Sequence, residues 1–137
     1  MRHVAALLAL LVLAACQTDS RTQVLATDAT QVQLRAIQTR AFATGDVTAT
    51  VRSAIATLQD LGFVVDKADP QLGIVSGTKL TGRAVRLTVV VRPLDPARVA
   101  VRANAQEGQE AVSDPRPYQA FFDALAKAMF LEAQGVD

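Results

Sequence analysis

Four arginines, Arg86, Arg92, Arg98 and Arg102, combine a residue type and a spacing that suit the recognition of anions. They lie at even positions in two stretches that alternate apolar and polar residues, Val85 to Arg92 and Arg98 to Ala105, so each stretch carries its arginines on one side. A planar guanidinium grips carboxylate or phosphate oxygens through paired hydrogen bonds. The quartet is therefore a candidate face for a lipid headgroup, a glycan or the carboxylates of a protein partner. If Arg92 pairs with Arg98 across the intervening turn, all four project to one sheet face. The plainer alternative is a solvated face neutralised by local carboxylates.

Other reactive groups are sparse. The single histidine is His3 and the single cysteine is Cys16. Zinc sites draw on several His or Cys ligands, which one of each does not supply; triad-type nucleophilic catalysis needs a histidine, and His3 lies in the amino-terminal leader expected to be removed; and one cysteine forms no disulfide within the chain. Asp66 and Asp69 have the spacing of a carboxylate pair, but calcium and glycosidase sites need further ligands or a cleft, and aspartates beside Pro70 suit a turn. Gly73, Gly77 and Gly82 are too far apart for a P-loop or a dinucleotide fingerprint. The reading is of no enzyme, no catalytic residue, no metal and no cofactor. Gln38, Thr39 and Arg40, and Gln59 and Asp60, are further polar residues that could meet a partner, with a solvated surface as the alternative.

The amino terminus reads as an address. Met1-Arg2-His3 precedes an apolar run from Val4 to Ala15, 12 residues long. At about 1.5 Å rise per helical residue the run reaches ~18 Å, well short of a hydrocarbon core of about 30 Å. It is the length of a signal-peptide core, not of a membrane span. Leu13-Ala14-Ala15-Cys16 resembles the bacterial lipobox. The resemblance implies cleavage between Ala15 and Cys16 and a covalent lipid on the Cys16 sulfur; an ordinary secretory signal with an incidental cysteine is the alternative. Residues 16–30 are then the lipidated cysteine and a flexible tether, polar and without periodicity from Gln17 to Thr30. Fully extended, at roughly 3.3 Å per residue, the tether spans up to ~45 Å. By the enterobacterial sorting pattern, Gln17 in place of an aspartate after the cysteine implies the outer membrane, with the domain facing the periplasm.

Loss of residues 1–15 leaves 122 of 137 residues, enough for one modest core. The 14 Lys and Arg fall to 13 with Arg2, equal to the 13 Asp and Glu. Balanced charge argues against a nucleic-acid partner, whose usual mark is a basic excess.

The elements that must position the arginines follow from periodicity. Val32 to Phe42 mixes β-branched and aromatic with polar residues and reads as a strand. From Asp46, a capping residue, Val47, Val51, Ala54, Ile55, Leu58 and Leu61 mark one helical face, and Gly62 ends the helix. Phe63 to Lys67 and Leu72 to Lys79 read as a hairpin around Asp69-Pro70, with Gly73 and Gly77 as candidate bulges. The two arginine-bearing stretches read as strands joined at Pro93-Leu94-Asp95-Pro96. Ser113-Asp114-Pro115 opens a last helix striped by Tyr118, Phe121, Phe122, Leu125, Ala128 and Met129.

The resulting order, β-α-β-β-β-β-α, implies an α+β domain over residues 31–137, a single antiparallel sheet with two amphipathic helices on one face. LRAIQTRAF at Leu34 to Phe42, LQDLGFVVDKADPQLGIVSGTK at Leu58 to Lys79 and PYQAFFDALAKAMFLEAQG at Pro117 to Gly135 resemble a family of small uncharacterised proteobacterial lipoproteins. The architecture is similar to the helix-grip domains of BamC-type outer-membrane lipoproteins. The resemblance implies a non-enzymatic outer-membrane lipoprotein whose domain binds an envelope protein or assists assembly. The second reading is a module for an anionic envelope ligand, held by the arginine face.

Overall fold

The computed structural model describes residues 30–133, with side chains described to residue 131. The expected leader, the Ala15–Cys16 junction and the expected tether up to residue 29 lie outside the described residues. The chain divides between Ala36 and Ile37. Residues 30–38 are helical (α1), so the strand expected from Val32 onward is confined to β1, Thr39–Phe42. Gln33, Leu34, Arg35 and Ala36 are strong helix formers, and the rough alternation of Val32 and Ile37 among them does not override that preference.

From Ile37 onward the sheet and two helices form in the order β1, α2 (Val47–Asp60), β2 (Val64–Asp69), β3 (Ile74–Lys79), β4 (Val85–Asp95), β5 (Arg98–Glu107), β6 (Glu110–Ala111) and α3 (Pro115–Ala133). All pairings are antiparallel, in spatial order β1-β5-β4-β3-β2, and β6 also pairs with β5. This is the expected α+β architecture, to which the short β6 is an addition.

Both helices cover one sheet face. Val75, Leu87, Val89, Val91, Val99, Val101, Ala103 and Ala105 meet Val51, Ala54 and Leu58 of α2 and Tyr118, Phe121, Phe122 and Leu125 of α3 in one core. Each large apolar side chain buried there contributes about 1.5–3 kcal/mol. The start of α2 is fixed by Asp46, whose Oδ1 accepts the Ala49 N–H at 2.8 Å. Its end is closed by Gly62 at φ +83° and by the Phe63 N–H donating to the Leu58 carbonyl at 2.9 Å. The buried stripe of α2 is rotated from the expected one. Thr50, Ser53 and Thr57 are buried, while Val47 and Ile55 are only half-buried. Small side chains let α3 lie close alongside, and the Thr50 and Thr57 hydroxyls each donate at 2.7 Å to the carbonyl four residues back.

Two expectations about the hairpins are corrected. β4 runs through Pro93 to Asp95, so the turn shrinks to Pro96-Ala97 and Arg92 lies opposite Ala100, not Arg98. The partner of Arg98 is Asp95, beyond an irregularity after Pro93, where proline has no N–H to give the ladder. The bulge falls in β2, between Val65 and Lys67, instead of at a β3 glycine. Gly77 faces the helices, where a Cβ would come within 3.0 Å of the Val64 carbonyl oxygen. Gly73, at φ +65°, opens β3 where a side chain would collide with the Val91 carbonyl.

Candidate functional site

The register lays out the sheet face that α2 and α3 leave uncovered. Across β3, β4 and β5, Thr78, Arg86 and Gln106 form one row and Ser76, Thr88 and Asn104 the next. Ile74, Val90 and Arg102 then lead to Thr39 on β1, and Arg92 and Ala100 lead to Ala41. Ile74 and Val90, both half-buried, make an apolar centre, and Arg86, Arg92, Arg98 and Arg102 are exposed around it. The actual register differs by two residues from the Arg92–Arg98 pairing considered above. A shift of two preserves which side chains share a face, so the four arginines do project from one side.

They share a face without converging. Arg86 and Arg92 are six positions apart on β4, about 20 Å along an extended strand. Arg92 donates to the Leu72 carbonyl, toward the β3 side. Arg102 reaches the other way, to the Gln38 side-chain oxygen at 3.4 Å. Arg98 is tied to Asp95 at 2.7 Å. Arg86 alone of the four makes no hydrogen bond or ion pair among the described residues. It borders a shallow pocket of about 180 Å³ lined also by Thr78, Ala84, Gln106 and Gly108. One further polar atom is unmet here: Asn104 Oδ1 is buried with no partner among the described residues.

Gln38 is a residue that the sequence left ambiguous and the structure assigns. It is only 3% exposed, and its amide donates to the Tyr118 hydroxyl at 3.3 Å. That hydroxyl also accepts the Ala105 N–H at 3.3 Å and donates to the Val112 carbonyl at 2.7 Å. The knot joins the start of α3 to the edge of β5 between β1 and β6, where the ladder is interrupted. Nothing in local periodicity announces it, because its members lie up to 80 positions apart. Arg40 is placed on the helix side: its guanidinium lies 4.9 Å from the Phe122 ring centre and pairs with Asp123 at 3.2 Å. Thr39 is exposed.

The remaining candidates do structural work. Asp66 accepts the Thr78 hydroxyl at 2.6 Å, and Asp69 accepts the Leu72 N–H at 2.9 Å in the turn, so the two carboxylates serve separate partners. Among the described residues no group of three or more His, Cys, Asp or Glu could hold a metal ion. Gln59 and Asp60 are exposed at the end of α2. Arg116 hydrogen-bonds Asp114 and holds its carboxyl below the usual range, at the start of α3 and away from the uncovered face. A larger cleft, about 480 Å³, lies between Phe42, the first turns of α2 and Met129 and Phe130 of α3. Its Asp46 carboxylate and Thr50 hydroxyl are already engaged in the first turn of α2. Among the described residues no helix is long and apolar enough to cross a membrane.

Compared with known proteins, the chain matches no family model and no curated sequence.

Proposed function

We propose that this chain is a non-enzymatic, lipid-anchored interaction domain of the bacterial outer membrane, facing the periplasm and docking another envelope protein on its uncovered sheet face. Cys16 is the anchor, on the strength of the Leu13-Ala14-Ala15-Cys16 motif. Kinship with the small proteobacterial lipoproteins, and the BamC-like helix-grip architecture, belong to the same proposal. The observation that carries the docking surface is the make-up of that face. A half-buried Ile74–Val90 pair at its centre is ringed by Arg86, Arg92 and Arg102, none of them neutralised by a carboxylate among the described residues. An apolar centre with an arginine-bearing rim is the composition of a protein interface, and an acidic partner would complement it. Tethering beside that partner raises effective concentration, so a modest contact suffices. A single anionic ligand gripped by all four arginines is the less favoured reading, because the guanidinia of Arg92, Arg98 and Arg102 are held apart by their own acceptors.

The test is crosslinking in the native cell, followed by affinity purification of the C-terminally tagged full chain beside Val90→Asp and Cys16→Ser forms. The expected result is one envelope protein retained in near-equal amount by the parent. A charge forced into the docking contact should cut that amount by about tenfold, the equivalent of about 1.4 kcal/mol, while the variant still unfolds in one cooperative transition above the capture temperature. Equal capture by Val90→Asp, or capture of no protein by the parent, overturns the reading. Cys16→Ser should lose anchoring, and mass spectrometry of the parent should find residues 1–15 absent and Cys16 acylated.

A further inference from the structure

We infer that the pocket beside Arg86 is a binding site for a single oxyanion group, a phosphate or a carboxylate. The inference rests on the uncovered face being the functional one, but concerns only the end of it remote from the β4–β5 turn. The other three arginines of the face each have an acceptor of their own: the Leu72 carbonyl for Arg92, Asp95 for Arg98 and the Gln38 side-chain oxygen for Arg102. Arg86 has none among the described residues, and it lines a pocket.

The register explains why the pocket lies where it does. Arg86 stands between Thr78 on β3 and Gln106 on β5, so a guanidinium and a side-chain amide, both donors, share one row of the sheet. Ala84, just before β4, and Gly108, just after β5, close its end. Gly108 has φ +63°, and a Cβ there would meet nothing within 4 Å, so this rim leaves room for a ligand. The volume, about 180 Å³, is ample for one anionic group. The neighbouring carboxylates are partly occupied. Asp66 accepts the Thr78 hydroxyl, and Glu107 lies 3.8 Å from Arg83. A planar fork with free N–H groups offers an oxyanion two parallel charge-assisted bonds, and the Gln106 amide can add a third donor.

The experiment is a titration of the full chain, purified in detergent micelles, with sodium phosphate and separately with sodium acetate, at ionic strength held constant with chloride. The readout is the arginine side-chain Nε–Hε resonances, assigned with Arg86→Gln and Arg92→Gln. The expected result is a saturable shift of the Arg86 signal with phosphate, acetate or both, with a dissociation constant of millimolar order. The accompanying saturable shifts of the Gln106 and Gly108 backbone amides should be lost in Arg86→Gln and kept in Arg92→Gln. Asp66→Asn should tighten binding by about threefold, the scale of one screened surface charge. No saturation with either anion, or saturation that survives Arg86→Gln, overturns the site. Because the titration needs no protein partner, its failure is separable from that of the docking proposal: Val90→Asp should lose the partner and keep the anion.

Discussion

The two faces of this sheet come from the same strands and differ in nearly every physical respect. Toward the helices, Val75, Leu87, Val89, Val91, Val99 and Val101 are at most 5% exposed. The aromatic rings of α3 close over them, with Phe121 and Phe122 meeting edge to face at 5.3 Å between centres. On the other side, one position along each strand, stand Arg86, Thr88, Val90, Arg92, Arg102 and Asn104, exposed or half-buried. The first face is specified by volume and burial, so its energy goes into folding. The second carries polar groups whose needs are incompletely met among the described residues, at Arg86 and at Asn104 Oδ1. Stability is concentrated on one face, and unspent binding capacity on the other.

The largest effect should come from attacking that division at Phe122. The residue is 2% exposed, its ring edge to face with Phe121 and 6.5 Å from the centre of Phe42. Phe122→Ala should lower unfolding stability by about 3–5 kcal/mol in urea denaturation. The matching truncation on the uncovered face, Val90→Ala, should change stability by no more than about 0.5–1 kcal/mol. Equal losses for the two would break the comparison.

Next in size is the polar knot at the sheet edge. Tyr118→Phe keeps the ring and removes the hydroxyl that serves Gln38, Ala105 and Val112. Leaving buried partners unmet costs about 1–3 kcal/mol, a loss that differential scanning calorimetry would register. Gln38 also accepts from Arg102, so the variant should disturb the Arg102 side-chain resonance while leaving that of Arg86 in place. A silent Tyr118→Phe would mean that the covered face is held by packing alone.

How much of this was legible in the sequence follows from which forces are local. The alternation of Val85 to Arg92 and of Val99 to Ala105 has the period of a strand, so it revealed the two faces and the arginines' shared side before any pairing was known. The stripe from Tyr118 to Leu125 likewise identified the covering helix. What failed was set by distant contacts. The register of β4 against β5 depended on Pro93 staying within the strand, and the rotation of α2 depended on α3 lying beside Thr50, Ser53 and Thr57. The helix over residues 30–38 was read as strand because a short alternation was weighed above the helix preference of residues 33–36. Of the candidate site, the composition was readable and the geometry was not. No local pattern says that Arg92, Arg98 and Arg102 bend to their own acceptors while Arg86 is left beside a pocket.

The smallest effect is the most discriminating, because it reverses sign. Asn104 lies opposite Thr88 on the uncovered face, and its side-chain oxygen is buried without a partner. A strand in a fully optimised domain would carry a β-branched residue there. Asn104→Val should therefore raise stability by about 1 kcal/mol, the lower end of what an unmet buried acceptor costs. A gain in stability with a loss of partner capture places Asn104 inside the docking contact, through the part of its half-buried side chain that reaches the surface. A gain with capture intact confines the contact to the Ile74–Val90 centre and its arginines. A loss of stability would break the comparison at its root, since it would show that the chain already satisfies this oxygen and that the uncovered face, like the covered one, is built for folding.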